Sequence, residues 1–235
     1  MIRVVGFRAS TRKANMGEIK IGRMVLGSCA TNTYFIYREG ENKAIVVDPA
    51  DQGTTIYASL FKNDLKVEGI LLTHGHFDHI WGLAALKGAV NRERTEKGLE
   101  PIKVYALREE RELLGNAEMN VSEMAGRACT AEADEYVMDG QELTIAGITF
   151  HVIATPGHTG GSCCFYVKEA GFLISGDTLF QESVGRTDFP TGSMSSLVRS
   201  IREKLFCLPE DVKVYPGHGG TTTIGYEKEN NPFCV

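Results

Sequence analysis

The chain has 235 residues, 43% of them hydrophobic, which is enough to bury a full core, so we expect a single domain over 1–235. Its formal net charge of −5 argues against a protein that binds nucleic acid or an anionic membrane. No apolar run approaches the roughly 20 residues of a membrane-spanning helix. The basic stretch 1–20 lacks a continuous apolar centre, so we interpret it as an N-terminal extension and not a secretory signal, with a transit peptide as the alternative.

The first half alternates short apolar runs with helical spacings. Strands are expected at 20–26, 32–37, 44–47, 67–73 and 103–106. Helices are expected at 56–61, 80–86 and 108–114, and the polar stretch 91–101 is predicted to be a loop. Residues 118–134 are ambiguous between helix and loop.

The second half repeats the pattern of strands followed by helix. Two hairpins are predicted, one over 142–154 around Ala146-Gly147 and one over 162–174. An apolar stripe spaced four residues apart then predicts a helix around 197–205, and 212–215 is the last buried strand. The periodicity indicates an α/β fold in which strands lead.

Six cysteines show no CxxC or framework spacing, which is typical of a reducing compartment and predicts a cytoplasmic protein. Cys163 and Cys164 are neighbours on a predicted strand, so their side chains should point to opposite faces. We interpret them as small core residues, with a redox or metal role as the alternative.

Five of the six histidines fall in three short motifs that contain glycine. The first motif is THGHFDH over 73–79, the second is TPGHT over 155–159, and the third is YPGH over 215–218. An aspartate follows an apolar run between the last two motifs. Imidazole and carboxylate bind borderline divalent cations, and these side chains together suit two neighbouring ions. The predicted ligands are His74, His76, Asp78, His79, His158, Asp177 and His218.

The spacing also divides these ligands between two ions. In an extended segment His74 and His76 point the same way, so with His158 they would bind one metal. Asp78, His79 and His218 would bind the second metal, and Asp177 would bridge the two. Zinc is the expected metal, with iron or manganese as alternatives. A water shared by two such ions has a pKa near 7, which makes it a nucleophile at neutral pH.

These motifs resemble those of the metallo-β-lactamase-fold superfamily, and within it the short bacterial members of the glyoxalase II-like branch, the hydroxyacylglutathione hydrolases. The resemblance runs from about Met24 to the C-terminus and includes Asp177 as the bridging acid. It also includes the segments 185–190 and 222–227. Segment 185–190 is similar to persulfide dioxygenases as well. It implies a four-layer αβ/βα sandwich, with Asp48 bracing the metal loop.

The resemblance implies a hydrolase of small-molecule thioesters, in which Asp78 orients or deprotonates the attacking water. The sequence ends 17 residues after His218, so we expect no C-terminal helical glutathione-binding domain, and the thiol carrier stays open, as does the oligomeric state.

Arg186 is a candidate ligand for a substrate carboxylate, with an ion pair to Asp188 as the alternative. Alternative functions are a mono-iron persulfide dioxygenase, a lactamase or lactonase, and a non-enzymatic metal-binding module. Residues 118–134 are expected to overhang the site.

Overall fold

A computed structural model describes residues 17–234, so residues 1–16 of the expected N-terminal extension lie outside the described part of the chain. The first of two six-stranded sheets has the order β1-β2-β3-β4-β5-β6, antiparallel from β1 to β3 and parallel from β3 to β6. Its strands are Ile19–Leu26 (β1), Thr31–Arg38 (β2), Lys43–Val47 (β3), Lys66–Leu71 (β4), Lys103–Leu107 (β5) and Glu135–Val137 (β6).

The second sheet has the order β14-β13-β10-β9-β8-β7. Strands β7 to β10 pair antiparallel, whereas β10 and β13 run parallel. Its strands are Glu142–Ile145 (β7), Ile148–Ala154 (β8), Cys163–Val167 (β9), Phe172–Gly176 (β10), Lys213–Pro216 (β13) and Thr222–Thr223 (β14). A small separate ribbon pairs Leu179–Phe180 (β11) with Ser183–Val184 (β12).

Helices cover the outer faces of both sheets. They are Gly53–Lys62 (α1), Phe77–Ile80 (α2), Leu83–Glu96 (α3), Arg111–Leu114 (α4), Met194–Ser200 (α5) and Ile224–Asn230 (α6). Helix α5 continues into a π-helical turn over Ile201–Leu205, and 3₁₀ turns cover Arg108–Glu110 and Lys168–Ala170. No helix in the described part of the chain is long and apolar enough to cross a bilayer.

The alternation of side chains along each strand builds three apolar layers. Ile45 faces the second sheet in the central core, whereas the next residue, Val46, faces the helices α1 and α3. In the second sheet Cys163 likewise belongs to the central core, and Cys164 packs outward with the stripe around Leu197. The resulting order of helix, sheet, sheet and helix confirms the predicted four-layer α/β sandwich.

The predicted helix over 80–86 is in fact two helices that meet at Gly82. The Gly82 N–H donates to the carbonyl of Pro49 at 2.9 Å, and a Cβ at Gly82 would lie 2.7 Å from that same oxygen. The close approach of the two backbones therefore needs a glycine at this position.

The loop predicted over 91–101 was wrong for its first half, because α3 continues to Glu96. Residues 91–96 cover more than one turn of the helix and none of them is buried. This end of α3 is therefore polar on all sides and has no apolar periodicity that distinguishes it from a loop. Glu93 accepts a hydrogen bond from Tyr57 Oη of α1 at 2.9 Å, which links this turn to the neighbouring helix.

The topology brings the predicted ligand motifs to one edge of the sandwich. The motif 73–79 follows β4, the motif 155–159 follows β8, and Asp177 follows β10. His218 follows β13, which runs parallel to β10. Strand β8 has the same direction as β10, because each of them is antiparallel to β9. All four motifs therefore leave the carboxyl ends of strands, where an α/β sheet exposes polar groups.

The central core gives a prediction about stability. Phe165 is fully buried between the sheets, so Phe165→Ala should lower the free energy of unfolding by about 3–5 kcal/mol. The matched control is Phe61→Ala, since Phe61 is 62% exposed and its loss should cost less than about 0.5 kcal/mol. Urea unfolding followed by circular dichroism measures both, and equal midpoints for the two variants would contradict the assigned core.

Candidate metal centre

A buried carboxylate at the end of β3 fixes the first histidine motif. Asp48 Oδ1 accepts the backbone N–H of Thr73 at 2.8 Å, and its Oδ2 accepts the Thr73 hydroxyl at 2.6 Å. The same Oδ2 lies 2.9 Å from His79 Nδ1. Asp48 therefore orients the loop and one imidazole, the geometry of a group that supports a metal ligand from behind.

The first cluster contains three buried histidines. His158 Nε2 lies 2.8 Å from His76 Nδ1 and 3.2 Å from His74 Nε2. Burial lowers the pKa of all three imidazoles, that of His76 to about 3, so they are neutral. Three neutral imidazoles thus direct nitrogen atoms at a common point, as a cation-binding site requires.

The second cluster contains Asp78, His79 and His218, whose ligand atoms lie within 4.8 Å of one another. His218 Nε2 is 3.2 Å from Asp78 Oδ2, and His79 Nε2 is 3.7 Å from the same oxygen. Burial alone would lower the pKa of His79, but the carboxylates of Asp78, Asp177 and Asp48 raise it well above its usual range. The carboxylates around His79 carry negative charge, and a bound divalent cation would balance it.

Asp177 lies between the two clusters. Its Oδ2 is 3.6 Å from His158 Nε2 in the first cluster and 3.4 Å from His218 Nε2 in the second. Its position depends on a neighbouring glycine, since a Cβ on Gly217 would lie 2.1 Å from Asp177 Oδ1 and 2.7 Å from His79 Cε1. The seven predicted ligands are therefore brought together, with the carboxylate of Asp177 in the shared position.

The residues fit bound metal ions on grounds independent of the sequence motifs. In the described part of the chain, three buried side-chain atoms make no hydrogen bond, namely His76 Nε2, His79 Nε2 and Asp177 Oδ1. Buried polar atoms are almost always partnered, and all three of these belong to the two clusters. The neutral ring of His76 turns Nδ1 toward His158, so its Nε2 carries the hydrogen. The unpartnered His79 Nε2 and Asp177 Oδ1, together with the converging nitrogens of the first cluster, suit the donor set of a binuclear site.

Glu110 is a buried site residue that the sequence reasoning missed. Its Oε1 accepts the N–H of Gly75 at 2.8 Å, and its Oε2 accepts the hydroxyl of Thr159 at 2.9 Å. Burial raises the pKa of Glu110 to about 7, although hydrogen bonds from Gly75, Thr159 and Gly161 oppose the shift. Glu110 thus links the loop between His74 and His76 to the loop that carries the third histidine.

Arg186 lies at the mouth of the site, with its guanidinium bound to a neighbouring acid. Its Nε and Nη2 donate to the two carboxylate oxygens of Asp188, each at 2.7 Å, and its carbonyl lies 2.7 Å from His158 Nδ1. The alternative of an Arg186–Asp188 ion pair is therefore present in the structure. The sixth histidine, His151, lies on β8 and faces Glu142, with 3.2 Å between His151 Nδ1 and the carboxylate.

Comparison with known proteins agrees with this geometry. The family model described as the metallo-beta-lactamase superfamily matches residues 26–218. The Bacillus subtilis protein named "Probable metallo-hydrolase YqgX" is 37% identical over 217 residues, which cover 92% of this chain and 97% of the relative. "Hydroxyacylglutathione hydrolase GloC" of Haemophilus influenzae is 34% identical over 201 residues, which cover 83% of this chain and 89% of the relative.

Solved structures are similar to this chain in both fold and sequence. The crystal structure of the BLEG-1 B3 metallo-beta-lactamase superposes with a TM-score of 0.84 at 36% identity, covering 92% of this chain and all of the other. TTHA1623, crystallised in a di-iron-bound form, gives a TM-score of 0.77 at 31% identity, covering 90% of this chain and 99% of the other. The fold and the site define a metallo-hydrolase. The chain belongs to the metallo-beta-lactamase superfamily.

The hydrogen bonds of Glu110 give a prediction about metal affinity. Glu110→Ala removes the acceptor that joins two ligand loops, so the affinity for zinc should fall about 10- to 100-fold. Glu110→Gln keeps one acceptor oxygen and should lie between this variant and wild type. Competition with a chromophoric chelator measures the affinity.

The matched control for Glu110 is Glu112→Ala, which removes an exposed glutamate from the adjacent helix α4. It should bind zinc as wild type does. Circular dichroism tests whether each variant is folded, and a folded Glu110→Ala protein with wild-type zinc affinity would contradict the positioning role of Glu110.

Proposed function

We propose that the protein is a metal-dependent thioester hydrolase of the hydroxyacylglutathione hydrolase type. The observation that carries the proposal is the position of Asp177 between a cluster of three histidines and a cluster of two histidines and an aspartate. The Haemophilus relative named as a hydroxyacylglutathione hydrolase supports the substrate class. His74, His76 and His158 would hold one cation and Asp78, His79 and His218 the other.

Divalent cations bound there would supply Lewis-acid charge to the acyl oxygen and lower the pKa of water. Asp78 is the catalytic residue of this proposal. Burial would raise the pKa of Asp78, but His79 and His218 lower it to about 2, so it stays ionised and can accept a hydrogen bond from the attacking water. The Thr31 hydroxyl donates to Asp78 Oδ2 at 2.8 Å and fixes the direction of the carboxylate.

The reaction consumes one water for each thioester. The water oxygen bonds to the acyl carbon, the carbon–sulfur bond breaks, and the sulfur takes the bonding electron pair and leaves as a thiolate. The products are a carboxylate and the thiol, and the protons of the water pass to solvent and to sulfur. A thiolate is a good leaving group, so the site needs no strong general acid beside the sulfur.

A second candidate is a mono-iron persulfide dioxygenase, for which the neighbour crystallised in a di-iron-bound form supports iron as the metal but not a single ion. Histidine and carboxylate ligands suit iron as well as zinc. A β-lactamase is a further alternative, because the B3 metallo-beta-lactamase superposes over nearly all of both chains.

Metal analysis combined with substrate screening separates these functions. Protein from metal-replete medium should hold about two divalent ions per chain, because seven ligands exceed the need of one open site. The zinc form should hydrolyse S-D-lactoylglutathione in a thiol-release assay, and a chelator should abolish the activity. Oxygen uptake with a persulfide and an iron form that hydrolyses no thioester would replace the proposal with the dioxygenase, and turnover of a β-lactam alone would replace it with the lactamase.

The position of Asp177 predicts the effect of its loss. Asp177→Ala should lower kcat by at least about a hundredfold and release at least one metal, because this carboxylate balances charge in both clusters. The strand β10 that precedes it stays buried, so the variant should remain folded. Asp211→Ala, which removes an exposed acid, is the control and should resemble wild type in both measurements. Full metal content and turnover in Asp177→Ala would show that Asp177 is not the bridge.

A further inference from the structure

A cleft of about 550 Å³ lies beside the first histidine cluster. Its apolar walls come from two segments that are distant in sequence, and two acidic side chains stand on its rim. We call it the Met124 cleft, and it is lined by Glu118, Val121, Glu123, Met124, Phe189 and Pro190. Met124 is 74% exposed, more than any other large apolar side chain in the described part of the chain.

The Met124 cleft adjoins the candidate metal centre at Phe189. The ring of Phe189 lies edge-on to the ring of His76, with 5.6 Å between their centroids. The guanidinium of Arg186 lies 3.8 Å from the centroid of the same phenylalanine ring and is held by Asp188. Phe189 is therefore held as a shared wall between the cleft and His76.

The opposite wall is also fixed in place. The N–H of Phe77, inside the first histidine motif, donates to the carbonyl of Asn120 at 3.0 Å, which ties the segment 118–134 to the metal loop. The next residue, Val121, has a φ of 68°, a strained conformation for a β-branched side chain, and it is buried. Trp81 Nε1 donates to the carbonyl of Arg127 at 2.9 Å and secures the far end of the segment.

The rim of the Met124 cleft carries negative charge. Glu118 and Glu123 are exposed, and within residues 17–234 neither forms an ion pair. The two nearby cationic side chains are already paired, Arg127 with Asp51 at 3.0 Å and Arg186 with Asp188 at 2.7 Å. An anionic group entering the cleft would meet two carboxylates and no free cation from these segments.

We propose that the Met124 cleft binds the sulfur-side group of the thioester and selects groups that are apolar and carry no negative charge. This inference rests on the proposed function and narrows its substrate class: glutathione has a net negative charge and would bind the cleft poorly, so S-D-lactoylglutathione should be hydrolysed but with weak saturation. A volume of about 550 Å³ far exceeds a short hydroxyacyl group and falls in the range of sites for whole small molecules, so the larger, sulfur-linked part of the substrate is the occupant. In this arrangement Arg186 is a positioning residue for Phe189.

A series of matched thioesters tests the proposal. All share the lactoyl group, and their thiols are benzyl mercaptan, its 4-carboxylate and its 4-aminomethyl derivative, which differ in charge but little in shape. At low salt kcat/KM for the neutral ester should exceed that for the carboxylate about three- to tenfold, and salt should reduce the difference. A carboxylate ester used as well as the neutral one would overturn the charge selection.

Variants of the rim glutamates test whether the charge selection arises in the Met124 cleft. Glu118→Gln/Glu123→Gln should raise kcat/KM for the carboxylate ester at least about threefold by removing the repulsion. The control Glu41→Gln/Glu100→Gln makes the same change in net charge with two exposed glutamates that precede β3 and β5, at the strand ends opposite the ligands. Equal gains in the two double variants would overturn the proposal. Met124→Glu should raise KM for the neutral ester more than it lowers kcat, with Met124→Ala as its control.

Binding of unreactive analogues separates this inference from the proposed function. The amides of lactate with benzylamine and 4-carboxybenzylamine replace the scissile sulfur by nitrogen. Trp81 is the only tryptophan of the chain and contacts the segment 118–134, so its fluorescence reports binding. If no thioester is hydrolysed but the neutral amide binds about three- to tenfold more tightly than the anionic one, the proposed function fails and the cleft assignment stands. If thioesters are hydrolysed but the amides bind equally, the cleft assignment fails alone.

Discussion

Seven ionisable side chains converge at one edge of the sandwich, and the rest of the structure depends on holding them there. Three neutral imidazoles bring nitrogen atoms to within 2.8–3.2 Å, and a carboxylate with an unpartnered oxygen lies beside them. Within residues 17–234, three ligand atoms make no hydrogen bond, namely His76 Nε2, His79 Nε2 and Asp177 Oδ1, so the arrangement is maintained by groups around the ligands. Asp48, Glu110 and Thr31 do so by hydrogen bonds to the loops and to two ligands, His79 and Asp78.

The sandwich meets this requirement through the direction of its strands. Strand β4 of one sheet and strands β8, β10 and β13 of the other deliver ligand loops to a common edge, and their apolar residues remain in the three buried layers. Close approach of those loops needs positions without a side chain. Gly217 is the clearest of them, because any Cβ there would overlap Asp177 and His79. Rigid strands and turns that contain glycine together fix the distances between the ligand atoms, which flexible loops could not do.

The sequence predicted much of this and missed the rest for identifiable reasons. The ligand positions were accessible because imidazole and carboxylate in short motifs are a local chemical signal, and apolar alternation predicted most strands. Glu110 gave no signal, since nothing in the run 108–112 distinguishes a buried glutamate from its exposed neighbours until the loops fold around it. The end of α3 was missed because a helix end that is polar on all sides resembles a loop. The ion pair of Arg186 with Asp188 was one of two open alternatives, and no local signal predicted that the guanidinium lies over the ring of Phe189.

The chemistry of the centre and the choice of substrate come from different parts of the molecule. Any thioester presents an acyl carbon, so the clusters on the strand ends do not by themselves distinguish one thiol from another. Discrimination has to come from groups beyond the reacting atoms, which here belong to segments 118–134 and 185–190. Both segments are tied to the histidine motifs, one through Phe77 and the other through His158. A substitution that moves either wall therefore also disturbs a ligand loop, whereas a change of charge at Glu118 or Glu123 alters the rim alone. Substrate preference in this site is more easily changed by charge than by shape.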